Sequence, residues 1–153
     1  MDWSQIASDF CLDGSLRDIY ILDTSRDDWA RVWDVLTIDP RKMEFKVNGE
    51  LATPPTLVDE VFRLQETSSV LATYALGKQR LNCHFFTEEE VEFDLDPRDI
   101  GGMVEVEQLA TFLVTLGTAT SREVRLTPEN EPETIIACYD PAIASVVWSR
   151  LTT

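Results

Sequence analysis

The chain's densest chemistry lies in a run of carboxylates. From Thr87 to Pro97, TEEEVEFDLDP, the acids Glu88, Glu90, Glu92, Asp94 and Asp96 occupy alternate positions, with Val91, Phe93 and Leu95 between the later ones. Hard oxygen donors in such number could hold a cation, work as an acid and base pair, or draw in a basic partner. Each use needs its own geometry. Ca²⁺ or Mg²⁺ needs ligands converging to about 2.5 Å, whereas alternate residues of one strand stand in a line, about 7 Å apart. No D-x-D-x-D-G loop accompanies them. A glycosidase pair needs two carboxyl groups across a cleft with separated pKa values, which a flat row does not offer. The expectation is therefore no metal, no cofactor and no catalytic pair. A carboxylate row on a rigid strand can imitate the phosphate spacing of nucleic acid and steer a basic protein toward itself. Glu88, Glu90, Glu92, Asp94 and Asp96 are the candidate partner-binding residues. The alternative is a solvated strand face whose charge prevents edge-to-edge aggregation.

Other chemistry is sparse. His84 is the only histidine, and neither a GxSxG elbow nor a cysteine-protease context is present. Were His84 a general base, Glu92 could orient it and Thr73 would be the weak nucleophile. A strand-surface histidine charged by its carboxylate neighbour is the simpler reading. Phosphate cradles of the GxxxxGK[ST] or GxGxxG type are absent, and Gly101-Gly102 alone makes none. Cys11, Cys83 and Cys138 are odd in number and lack zinc or redox spacing. All three sit among apolar residues, as small buried hydrophobes do, which suits a reducing compartment. Trp29 and Trp33 share a helix face and are expected in the core. Together with Tyr139 they would line the pocket of a second reading, a small-molecule-binding or enzymatic α+β domain.

These side chains need elements to position them. With a period of two, TEEEVEFDLDP is a half-buried strand with the acids outward. Gly77-Lys78 is a type II′ hairpin turn that pairs Leu76 with Gln79, Tyr74 with Leu81, Ala72 with Cys83 and Val70 with Phe85. A three-residue loop, Thr87 to Glu89, then sets Phe85 against Val91, Cys83 against Phe93 and Leu81 against Leu95. The result is a three-stranded meander over about 69–96 with an apolar inner face. On its outer face His84 lies opposite Glu92, Asn82 opposite Asp94 and Arg80 opposite Asp96. From Thr87 to Glu107 nine carboxylates face only Arg98 in sequence, so two outward cations cannot neutralise the row.

Around the meander, Trp3, Ile6, Ala7 and Phe10 mark a short helix capped by Asp2. Leu16 to Asp23 is a strand whose apolar run places it centrally, covered on both faces. Thr24 or Ser25 caps a helix with Trp29, Val32, Trp33 and Leu36 on one stripe. Asn48-Gly49 turns a hairpin over Met43 to Ala52. Leu57, Val58, Val61 and Phe62 form one stripe of a short helix. Another helix runs from about Val104, with Val106, Leu109, Phe112, Leu113 and Leu116 inward and Gly117 as its cap. Strands are expected at Glu123 to Thr127 and Thr134 to Tyr139, and a strand or short helix at Ile143 to Trp148. The fold class is α+β: one domain over 1–153, a mostly antiparallel sheet packed against several short helices.

A formal charge of −15, with a pI near 4.3, repels nucleic acid and anionic membranes and favours basic proteins as partners. No stretch reaches eighteen apolar residues, and the N-terminus lacks a basic region before an apolar run, so a cytoplasmic protein is expected. DGSLRDIY at Asp13 to Tyr20, followed by the Asp28-Trp29 helix, resembles the opening of small acidic bacterial immunity-type proteins. LTPEN at Leu126 to Asn130 and YDP at Tyr139 to Pro141 resemble their ending. Such proteins neutralise toxins of polymorphic or contact-dependent systems. The resemblance covers the first third of the chain and a patch near its end. It implies an α+β domain that binds a cognate, often basic, toxin domain without catalysis, and it implies no particular binding residues.

Overall fold

The computed structural model describes residues 1–152; Thr153, the last residue of the expected domain, lies outside them. Short α1 (Trp3–Ile6) continues as a 3₁₀ turn to Phe10 and leads into β1 (Arg17–Leu22). Next come α2 (Arg26–Thr37), the β2–β3 hairpin (Met43–Val47, Glu50–Ala52) and α3 (Val58–Gln65). The meander follows as β4 (Val70–Leu76), β5 (Gln79–Thr87) and β6 (Glu90–Leu95). Then α4 (Met103–Thr120) precedes β7 (Val124–Pro128), β8 (Ala137–Asp140) and β9 (Ser145–Trp148). The ambiguous run after Ile143 is thus a strand. All nine strands form one antiparallel sheet in the order β3-β2-β4-β5-β6-β1-β7-β8-β9.

Local chemistry explains the turns. Asn48 and Gly49 both take positive φ, 52° and 81°, as a type I′ turn requires. Gly77 has φ 59° while Lys78 keeps negative φ, the type II′ pattern. The β4–β5 register is the expected one from Ala72↔Cys83 to Leu76↔Gln79. Between β5 and β6 the pairs Asn82↔Asp94, Cys83↔Phe93 and His84↔Glu92 also form. The turn itself differs: Thr87 pairs with Glu90 across Glu88-Glu89, and a β-bulge after His84 replaces the expected Phe85–Val91 pair. Phe85 stays in the core and Phe86 in solvent, as in the expected register.

The helices cover one face of the sheet. Val91, Phe93 and Leu95 of β6, Ile19 and Ile21 of β1, and Leu81, Cys83 and Phe85 of β5 are buried against them. Trp29 and Trp33 reach Phe85 at 5.2 and 5.8 Å between ring centroids and are core residues. Tyr139 is buried against α4. These three rings therefore line the interior. Gly117 is not a cap but an interior residue of α4; Ser121, left-handed at φ 56°, ends the helix. Among the cysteines, Cys83 is buried and Cys138 half-buried, but Cys11 is exposed, contrary to the expectation for all three. No helix among the described residues is long and apolar enough to cross a membrane.

Candidate functional site

Strand β6 is the fifth of nine, so its acidic face is no edge. Residues paired across neighbouring strands point to the same side, and with the apolar partners turned to the helices, the polar ones fall on the opposite, open face. They form cross-strand rows. One runs Thr73, Asn82, Asp94, Asp18, Thr127. The next runs His84, Glu92, Tyr20, Arg125, and Glu90 stands beside Leu22 in a third. Strand β1 is central as expected, but only Ile19 and Ile21 meet the helix layer. Asp18 and Tyr20 are nonetheless only 2% and 4% exposed, and the loop after β7 reaches Asp18 through the Asn130 backbone.

The five acids separate in space. Glu90, Glu92 and Asp94 share the open face. Glu88 sits in the turn and pairs with Arg26 at 2.6 Å, which also bonds Asp59 at 2.7 Å and lies 4.6 Å over the Phe62 ring. Asp96 leaves the strand, accepts from the Arg98 backbone N–H at 2.9 Å and pairs with its guanidinium at 2.7 Å. Arg80, expected opposite Asp96, instead bonds Glu44 at 3.1 Å. In their place Asp18 joins the cluster from β1, a residue that the row within one strand could not reveal. Its signal was a lone acid inside an apolar strand run, visible in LRDIYIL but readable only once β1 is known to flank β6.

Hydrogen bonds set the electrostatics. Asp18 accepts from the Tyr20 hydroxyl at 2.9 Å and from the Asn130 backbone N–H at 2.7 Å. Burial, helped by Asp94 and Glu129, still raises its carboxyl above the usual range. Burial and neighbouring acids likewise raise Glu90 and Glu92. Asp94 is buried too, but bonds from His84 and from Asn82 Nδ2, the latter at 2.9 Å, outweigh that and hold it low. His84 bonds Asp94 diagonally rather than the Glu92 directly opposite, and this bond raises the imidazole above its ordinary value against the effect of burial. Thr73 Oγ1 donates to Asn82 Oδ1 at 3.0 Å, so its hydroxyl is spent on the amide and not on His84. No nucleophile–base pair is assembled here.

Arg80 is tied to Glu44, and Arg125, a further cation of this face, is directed outward along the sheet to Glu123, Glu133 and the Pro132 carbonyl. Asp18, Glu90, Glu92 and Asp94 are thus opposed by His84 alone. No cluster of three or more His, Cys, Asp or Glu converges as a metal site among the described residues. A separate cleft of about 470 Å³ is lined by Asp9, Cys11, Arg17, Ile136 and Arg150. Its buried Arg17 is already bonded to the carbonyls of Asp9, Cys11 and Leu16 and organises the loop before β1. No family model, curated protein or solved structure matches this chain.

Proposed function

We propose that the protein is a non-catalytic binding domain of the immunity type, which captures a basic protein, such as a toxin domain, on the open face of its sheet in the cytoplasm. The carrying observation is the cluster of Asp18, Glu90, Glu92 and Asp94 on a sheet face that no helix covers, with His84 as its one facing cation. Burial first, and the neighbouring acids second, raise the carboxyls of Asp18, Glu90 and Glu92, and like charges at cross-strand spacing destabilise one another. Lysine or arginine side chains of a partner would relieve it. A rigid sheet holds the carboxylates in place before contact, which favours rapid electrostatic association.

The double variant E90K/E92K tests the reading. Both side chains lie on the water side, so the fold is kept, while two attractive contacts become repulsive. Immobilised wild-type protein is expected to retain a basic partner from cell extract, identified by mass spectrometry, with slower association at high salt. The variant's affinity for that partner should fall by about a hundredfold, in line with the several kcal/mol that juxtaposed like charges cost. Equal affinity of variant and wild type would sink the proposal.

A further inference from the structure

Within the cluster of Asp18, Glu90, Glu92 and Asp94, only Asp94 already has a cation. His84 Nε2 meets Asp94 Oδ2, while Asn82 holds the other oxygen at 2.9 Å. Phe86, two residues beyond His84 and 67% exposed, stacks flat on the imidazole, with centroids 5.0 Å apart and planes 3° from parallel. The groups around the imidazole come from four strands. They are Asn82 and Phe86 on β5, Glu92 and Asp94 on β6, Asp18 and Tyr20 on β1, and Thr73 on β4. Arg80 and Glu44 are paired with each other farther along the face, and Arg125 is tied to Glu123 and Glu133.

We propose that His84 is an internal counter-ion that occupies Asp94 in the free protein, and that an arginine or lysine of a basic partner displaces it, so that capture strengthens as pH rises. This rests on the open face being the docking surface. The exchange has a definite proton balance. In the free protein the imidazolium donates to Asp94. When a partner's cation takes over the carboxylate, the ring loses that acceptor and releases its proton to solvent, and binding and proton release are linked. The bond to Asp94 raises the ring above its ordinary value of 6.5, so the competition extends above the pH at which a free imidazole loses its proton. Asp18, Glu90 and Glu92 supply further protons lower on the pH scale, because burial favours their neutral forms in the free protein.

An oligoarginine peptide is a suitable probe, since its own charge does not titrate near neutrality. Calorimetric titration from about pH 6 to about pH 8.5, in buffers of differing ionisation enthalpy, reads affinity and released protons together. Wild-type affinity should rise by up to about tenfold per pH unit where one proton is released. H84Q should bind more tightly at the acid end and show a flatter profile. NMR of the only imidazole, in the unaltered protein, should show its pKa falling when the peptide saturates the face. Matching pH profiles for wild type and H84Q, or an imidazole pKa unmoved by saturating peptide, would overturn the exchange while leaving the docking face standing. Absence of binding by both proteins at every pH would overturn both.

Discussion

At Gly117 a missing methyl group makes room for a ring. A Cβ at that position of α4 would lie 2.0 Å from Cδ1 and 2.3 Å from Cε1 of Tyr139, far inside contact distance. G117A therefore overpacks the junction of α4 and β8. The expected cost is about 1–3 kcal/mol, offset by up to about 1 kcal/mol from alanine's better helix propensity. Urea denaturation should show a lower midpoint with an unchanged slope; a midpoint at or above wild type would mean that Tyr139 steps aside freely. Local sequence could not separate this use of glycine from a helix cap, because both leave the same letter after an apolar stripe, and Tyr139 belongs to a distant strand. His84 teaches the same lesson. Register placed it opposite Glu92, as observed, but its bond goes diagonally to Asp94, a choice made by side-chain reach rather than by strand pairing.

Helix α2 shows what the chain does state openly. Its stripe of Trp29, Val32, Trp33 and Leu36 is buried as the spacing required, and Ser25 begins it with a reciprocal capping box. Ser25 N–H donates to Asp28 Oδ2 at 2.9 Å, and the Ser25 hydroxyl accepts from the Asp28 backbone. Asp28 also takes Arg122 at 2.8 Å, linking the start of α2 to the turn after α4. S25A should cost about 1 kcal/mol. D28A should cost more, because a charge-assisted bond worth about 1.5–3 kcal/mol is lost as well. Thermal melts of the two variants check this order, and a reversed order would assign Asp28 no role beyond the cap. Hairpin turns were equally legible, since Asn48-Gly49 and Gly77-Lys78 have few alternatives. The β5–β6 turn was not. A three-residue loop and a two-residue turn with a bulge suit Thr87 to Glu90 alike, and both keep Phe85 inward against Trp29 and Trp33. The difference moves Thr87 opposite Glu90, while Phe86, two residues beyond outward His84, shares its face in either arrangement.

For the molecule as a whole, charge ties stability to pH in one direction near neutrality. Asp18, Glu90, Glu92 and His84 all have folded pKa values above their ordinary 3.8, 4.5, 4.5 and 6.5. Each stabilises the fold at lower pH and loses that contribution as pH rises through its folded value. Asp94 and Asp28 are held below 3.8, so their contributions are present above it and disappear as acid protonates them. Self-repulsion from a net charge of −15 also grows toward neutrality. Thermal stability should accordingly peak between about pH 4 and about pH 6.5 and decline by about pH 8. H84Q should show a shallower decline on the neutral side, and a maximum above neutrality would contradict this account. The order of strands was the least legible feature at this scale, because nothing in the local pattern of Leu16 to Asp23 says which strands will flank it. Its apolar run announced a central strand, yet its neighbours are encoded far downstream, where Arg17 stands opposite both Leu95 and Pro128. Synthesis therefore delivers the middle of the sheet first. Until Leu95 emerges from the ribosome, β1 has no native strand to pair with on one side, and until Pro128 emerges it has none on the other. An apolar strand waits unpaired through most of translation, the most aggregation-prone interval in the life of the chain.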